Sequence, residues 1–252
     1  LLSQVQINQA AISSYNVGTY MGTKAFVLLS GGIDSSTCLA IAIAAHGAEN
    51  VTPVSVDYRQ RHRRELHAAQ DVCKHYGIGM QHQLFTIDDI PQSLLTDPTK
   101  EVPNVSYSEL KGVSPSYVPF RNGQLLSKIA ALAASRVAQP NEDHGDTGEI
   151  YIGTHAEDAA GDAYPDCRLD FIGAMGAAIY IGTYHKVRLR APLIEMSKVQ
   201  IIQEGAFLGV PYHLTWSCYK GEALHCGTCP TCRARKDGFR HANIADPTKY
   251  AA

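Results

Sequence analysis

Seven consecutive residues, Ser30-Gly31-Gly32-Ile33-Asp34-Ser35-Ser36, follow directly on the apolar run Ala25-Phe26-Val27-Leu28-Leu29. A buried strand ends there, two glycines let the backbone turn tightly and approach an anion, and a helix begins with its unpaired N–H groups facing it. Ser35 and Ser36 add hydroxyls. The arrangement suits a pyrophosphate group, so ATP is the expected ligand. No lysine follows the glycines, which separates this loop from the G-x-x-x-x-G-K-S/T motif and its reach to a γ-phosphate. Asp34 beside a phosphate loop calls for a cation, here the Mg²⁺ that accompanies the nucleotide. An ordinary turn after a strand is the plain alternative, and the flanking serines and Asp34 disfavour it.

A second constellation lies near the other end. Cys218, Cys226, Cys229 and Cys232 form a C-x7-C-x2-C-x2-C pattern on a turn-rich stretch containing Gly221, Gly227 and Pro230. Four thiolates suit tetrahedral Zn²⁺ and leave no open coordination position, so the expected site is structural and does not activate water. The C-x2-C-x2-C run keeps iron–sulfur ligation open as an alternative. His225, adjacent to Cys226, is read as a neighbour of the site and not a ligand. The other three of the seven cysteines, Cys38, Cys73 and Cys167, are scattered.

The elements that must carry these residues alternate. Strand-like runs recur at Ala25 to Leu29, Val51 to Val56, Gln81 to Ile87, Glu149 to Gly153 and Lys186 to Leu189. Helical patterns lie between or after them, at Ser35 to His46, Arg61 to Tyr76, Gly123 to Ala138, Cys167 to Ile181 and Ser197 to Leu208. Such alternation predicts an α/β fold, a parallel sheet with helices on both faces. Ligands of such sheets bind outside the carboxyl ends of the strands, where the serine-glycine loop, Asp57-Tyr58 and Thr154-His155 should converge. Two long stretches, Asp88 to Pro119 and His155 to Asp166, read as walls of the substrate crevice. Gln139 to Gly148 reads as a solvated loop.

Length and composition narrow the class. The 252 residues, 45% hydrophobic and 18% charged, describe a globular chain with room for one large domain. No stretch approaches the roughly 18 uninterrupted apolar residues of a membrane span, and the cytoplasm is the expected compartment. A net charge of −2 offers nucleic acid no global attraction, and the basic run Arg59 to Arg64 reads as the solvated start of a helix. Residues 1–20 are polar and aperiodic, and Met21 precedes the first strand. Met21 is therefore the expected natural start, with 1–20 an extension or remnant and 21–252 a single domain that includes a zinc-binding segment at 216–240.

Read together, the motifs from about residue 24 to 248 resemble the 7-cyano-7-deazaguanine synthases of queuosine biosynthesis, within the ATP pyrophosphatases (adenine nucleotide α-hydrolase type) that share the SGGxDS loop. The matching segments are Leu28 to Ser35, Asp57-Tyr58 with Gln60-Arg61-His62, Val118-Pro119 with Arg121-Asn122, and Tyr164-Pro165-Asp166-Cys167-Arg168. They continue through Ala191 to Ile194 with Ser197-Lys198, Leu214 to Tyr219, the cysteine triplet and Asp246-Pro247-Thr248. The resemblance implies an ATP-dependent carbon–nitrogen ligase that converts 7-carboxy-7-deazaguanine and ammonia to the nitrile. The carboxylate is adenylated, ammonia displaces AMP to give an amide, and a second activation drives dehydration. It further implies ATP contacts from Leu28, Ser30, Gly31, Gly32, Asp34, Ser35 and Ser36. Asp34, Ser35 and Arg121 form the expected catalytic set, Arg121 being a fixed cation for phosphate charge.

Substrate contacts are expected from Asp57, Tyr58, Arg168 and Lys198. A deazaguanine presents an N1–H and an amino group side by side, two donors that one carboxylate can accept. Asp166 is the first choice for that carboxylate, with Asp158 and Asp162 as neighbours, and the alternative role for Asp166 is a cap on the helix beginning near Cys167. Two departures from the family pattern are visible. Arg59 stands where glycine is frequent, and His155 to Ala163 is longer and more acidic than usual. Arrest at the amide, another base, RNA or protein substrate, a thiolase chemistry that would need a reactive cysteine, a defence-system role and a zinc-containing binding module are the alternatives. Nucleic acid and membrane partners are not expected, and a homodimer is left open.

Overall fold

The computed structural model describes residues 22–61, 63–91, 93–97, 99–106, 109, 112–137, 146–158, 163–221 and 223–251. The segment expected as an extension at 1–20, the proposed start Met21, Asp162 and most of the 139–148 loop lie outside the described residues.

Five strands, β1 (Thr23–Leu28), β2 (Val51–Asp57), β3 (Gln83–Thr86), β4 (Thr147–Tyr151) and β5 (Val187–Arg190), form one sheet in the order β3-β2-β1-β4-β5. Every pairing is parallel. The central strand is apolar throughout its inner half because helices cover both of its faces. Ala25 and Val27 pack with residues of α1 (Ile33–His46), α2 (Arg64–His75), α5 (Lys198–Phe207) and α6 (Pro230–His241). Phe26 and Leu28 point the other way, onto Leu126, Ile129 and Ala133 of α3 (Arg121–Arg136) and Ile172 and Ile179 of α4 (Leu169–Gly182). The expected parallel α/β sheet with helices on both faces is the observed fold.

The chain winds from β1 through β2 to β3 on one side, then crosses back to place β4 and β5 on the other. The connections leaving β1 and β4 therefore diverge, and the crevice between them is the topological switch point where ligands of such sheets bind. Helix α6 was not anticipated from the sequence. It starts at Pro230, immediately after Cys229, where a proline costs no hydrogen bond. The long segment after β3 packs Leu94, Leu95, Val102 and Val118 against Trp216, Cys218, Cys229 and Cys232. It thus joins the cysteine segment to the body of the domain. Among the described residues no helix is long and apolar enough to cross a membrane.

Candidate active site

The loop after β1 is held from three sides. Gly31 has φ +82°, and a Cβ there would come within 2.6 Å of the Ala69 amide nitrogen in α2, so only glycine fits. The Trp216 amide donates to the Gly31 carbonyl at 2.8 Å, which ties the C-terminal segment to the loop. Gly153, beyond β4, sits so close to α1 that a Cβ would lie 3.1 Å from the Ser35 nitrogen. Ser35 turns its hydroxyl back under the loop, accepting from the Ser30 amide at 3.2 Å and lying 3.0 Å from the Ser30 hydroxyl. No side chain caps α1, so its first amides are left for a ligand.

Asp34, in the first turn of α1, faces a cationic partner. Lys198 Nζ lies 2.6 Å from Asp34 Oδ1 and 2.9 Å from His155 Nε2. His155 in turn lies 3.3 Å from Asp158. Burial alone would raise the Asp34 carboxyl, but the charges of Lys198 and His155 outweigh it and hold Asp34 below the usual carboxylate range. Asp158 moves the other way, raised by burial and by the neighbouring Asp34 charge against the pull of His155 and Lys198. Lys198 is placed by a capping box at the start of α5, where Ser197 and Gln200 satisfy each other's amides. Its own amide donates to Glu157 at 2.7 Å.

A second group stands across the crevice. The Tyr58 amide donates to Gln60 Oε1 at 2.8 Å, and Gln60 Nε2 donates to Glu65 Oε1 at 3.0 Å. Arg121, at the first residue of α3, donates to the Tyr58 hydroxyl at 3.3 Å and sets its guanidinium 5.6 Å from the Tyr58 ring centre. Burial pushes Tyr58 up to about 12 and Glu65 up to about 7, the latter against the charge of Arg121 and the Gln60 hydrogen bond. Arg121 Nε, Thr154 Oγ1 and Ser36 Oγ are buried with no hydrogen-bond partner among the described residues. Buried donors without partners are rare, and a polar ligand in the crevice would satisfy those of Arg121 and Thr154, which line it.

Two adjoining cavities occupy the crevice. The first, about 240 Å³, has apolar walls from Leu28, Val54, Val56, Leu125 and Ile152. The second, about 610 Å³, is more polar and reaches Lys198, His155, Tyr164, Trp216 and Arg235. Ser30, Asp34, Glu65, Arg121, Asp158 and Tyr219 line both. The two long loops meet at the rim of the second, where Ser114 donates its amide to Ala163 at 3.3 Å and places its hydroxyl 3.0 Å from Tyr164.

The expected residues divide accordingly. Leu28, Ser30, Gly32, Asp34, Ser35, Tyr58, Arg121, Asp158 and Lys198 line the cavities. Gly31 and Ser36 do not, Ser36 being fully buried beneath the loop, and neither does Asp57, whose carboxylate is bound by Arg63 at 2.6 Å and by the Arg59 amide at 3.0 Å. Arg59 adopts φ +61° in that turn, the conformation that glycine would take without strain. Asp166 is 4% exposed and accepts from the Asn122 amide at 2.9 Å, so it holds the start of α3. The helix near Cys167 begins instead with Arg168 at its N-cap, without a side-chain cap. Arg168 lies outside both cavities and bonds to Asp170 at 3.3 Å. Glu65, Gln60, His155 and Arg235 were not singled out from the sequence as ligand contacts.

The four cysteines converge as their spacing implied. One sulfur from each of Cys218, Cys226, Cys229 and Cys232 lies within 4.8 Å of the others. Backbone amides of Lys220 and Cys226 point at Cys218 Sγ at 3.3 and 3.4 Å, and those of Thr228 and Cys229 at Cys226 Sγ at 3.4 and 3.3 Å. Amides aimed at sulfur favour thiolate, the form that binds metal. The group fits a closed, structural metal site.

A parallel sheet whose central strand enters a helix through a serine-glycine loop, with the crevice at the switch point, defines a parallel α/β fold with an anion-binding loop at its ligand crevice. The family described as Queuosine biosynthesis protein QueC matches residues 24–243, and the chain belongs to that family. The 7-cyano-7-deazaguanine synthase of Thermoplasma volcanium is 41% identical over 236 residues, 92% of each chain. That of Cellvibrio japonicus is 42% identical over 239 residues, covering 90% of this chain and 98% of its own. Among solved structures, the U34-tRNA thiolase NcsA of Methanococcus maripaludis aligns with 94% of this chain and 74% of its own, at a TM-score of 0.42 and 14% identity.

Proposed function

We propose that the chain is a 7-cyano-7-deazaguanine synthase that uses ATP and ammonia to turn 7-carboxy-7-deazaguanine into the nitrile, as a carbon–nitrogen ligase. The observation that carries the ATP-dependent part is the uncapped start of α1 behind Ser30-Gly31-Gly32, opening on two cavities that share one wall. The smaller, apolar cavity takes the adenosine of ATP. The wider, polar one takes the deazaguanine, with Asp158 as the carboxylate nearest to hand for its paired donors. The α-phosphate and the substrate carboxylate then meet at the shared wall, beside Arg121.

Each residue has a task that follows from its placement. The amides of Gly32 and the first turn of α1, with the Ser30 and Ser35 hydroxyls, hold the pyrophosphate. Lys198 and Arg121 supply fixed positive charge from opposite sides, which stabilises the charge that gathers on phosphate oxygens as the bond breaks. Asp34 offers the hard carboxylate oxygens that suit Mg²⁺, which when bound would neutralise phosphate charge and act as a Lewis acid. Zn²⁺ fits the four thiolates, and its role there is to fix the C-terminal segment on the loop through Trp216.

Thiolase chemistry is not favoured by the cysteines outside the cluster. Cys38, Cys73 and Cys167 are buried, and burial raises all three thiols, that of Cys73 to about 12. A reactive cysteine needs the opposite shift. Thiolates at the cluster require a reducing compartment, which agrees with the cytoplasm.

The direct test of the nucleotide reading is exchange of labelled pyrophosphate into ATP. Adenylation without ammonia is reversible, so exchange should depend on 7-carboxy-7-deazaguanine and proceed when ammonium is left out. Exchange that ignores the deazaguanine, or none at all from an enzyme that makes product, would contradict it.

A further inference from the structure

We propose that Glu65 is the proton acceptor for the nitrogen nucleophile, the residue that takes a proton from ammonium at the seam between the two cavities. The inference rests on the reading of ammonia and an adenylated carboxylate given above. Any bond between the occupants of the two cavities forms at their shared wall, and Glu65 is on that wall. The other two acids there already have cations: Asp34 has Lys198 at 2.6 Å and Asp158 has His155 at 3.3 Å. Glu65 has no ion-pair partner among the described residues. One of its oxygens is fixed by the neutral Gln60 amide at 3.0 Å, and Gln60 is itself fixed by the Tyr58 amide.

The charged and titratable groups lining the smaller cavity with Glu65 are Arg121 from α3, Tyr58 and Arg61 from the β2–α2 connection, Cys167, Cys218, Tyr219, Asp34 and Asp158. Burial, opposed by the charge of Arg121 and the Gln60 hydrogen bond, leaves the Glu65 carboxyl at about 7, where it is ionised in part near neutral pH and able both to accept and to release a proton. Ammonium carries no lone pair and cannot attack. Transfer of one proton to Glu65 leaves ammonia, whose lone pair forms the C–N bond at the activated carbonyl carbon. The C–O bond to AMP breaks with its electron pair leaving on the phosphate. The second proton shed by the nitrogen goes to water, and Glu65 returns its own to water before the next turnover.

Glu65→Gln keeps the shape and the hydrogen bond to Gln60 but cannot accept a proton. Its kcat/KM for ammonium should fall at least about 100-fold, within the usual range for a general base. Substrate-dependent pyrophosphate exchange, which precedes ammonia, should fall by less than about tenfold, and so should turnover with hydroxylamine, a nucleophile already neutral near neutral pH. Equal losses with ammonium and hydroxylamine, or an ammonium kcat/KM within about threefold of the unaltered enzyme, would overturn the assignment. Absence of exchange in the unaltered enzyme would instead retire the adenylation reading.

The unaltered enzyme supplies a reading that does not depend on the variant folding. With Glu65 as acceptor, kcat/KM for total ammonium rises with pH through about 7 and then levels off, because the ionised carboxylate meets ammonium. A rise that continues without a plateau up to the pKa of ammonium itself would mean that free ammonia is taken from solution and would also overturn it.

Discussion

Asp34→Ala is expected to lower turnover at least about 100-fold while leaving the melting temperature close to that of the unaltered protein, the usual scale for losing a charge contact made in the transition state. The carboxylate is 28% exposed and packs no core, so its loss removes little apolar contact. What it removes is the anchor of Lys198, whose ammonium it holds at 2.6 Å beside the uncapped start of α1. It also removes the carboxylate proposed to hold the metal that neutralises phosphate. Because both functions act on the phosphates, the loss should fall on pyrophosphate exchange and on product formation alike. Ser35→Ala should act in the same direction, since the Ser35 hydroxyl bonds to Ser30 and shapes the loop. Steady-state rates together with thermal melts check this. Near-normal turnover in both variants would place the nucleotide elsewhere.

The second large effect is on stability. Cys229→Ser is expected to lower the melting temperature by on the order of 10 °C or more, since structural zinc sites contribute several kcal/mol and each kcal/mol shifts a domain of this size by about 2–4 °C. Cys229 is fully buried, stands at the N-cap of α6 and packs with Leu94, Val102, Val118 and Trp216. Helix α6 carries Arg235, 1% exposed, which donates to Thr215 at 2.8 Å and to the Tyr212 carbonyl at 2.9 Å and pairs with Asp246 at 3.2 Å. Loosening α6 therefore loosens the segment whose Trp216 amide holds Gly31. Activity should fall with stability, and chelation of the unaltered protein should reproduce both losses. One zinc per chain by elemental analysis is the companion expectation. Metal-free protein with unchanged melting and turnover would contradict it.

The sheet was legible because its inner strands β1 and β2 are largely buried and apolar, while the edge strands β3 and β5 alternate in burial and were read from their short aliphatic runs between helical patterns. All five expected strands are present, with ends displaced by a residue or two. The loop and the four cysteines were legible because their chemistry depends on local spacing. What escaped was whatever depends on partners distant in sequence. Asp57 sits at a strand end as expected, but Arg63 six residues on claims its carboxylate. Asp166 and Asn122, far apart in the chain, meet only because the two long loops close on each other. Glu65 directly follows the basic run Arg59 to Arg64, and only the packing of Gly31 beneath α2 shows that this turn faces the crevice. Helix α6 was hidden by its own composition: its buried face is Pro230, Cys232, Arg235, Gly238 and Phe239, of which only Phe239 is a large apolar side chain.

The most direct test of the account is mass spectrometry of the product formed by this chain from 7-carboxy-7-deazaguanine, ATP and ammonium, with ¹⁵N-ammonium as the nitrogen source. The account predicts 7-cyano-7-deazaguanine carrying one labelled nitrogen, with AMP and pyrophosphate released and the labelled amide appearing first. Unchanged carboxylate in the presence of ATP and ammonium, a product that stops at the amide, or a nitrile without label would contradict it.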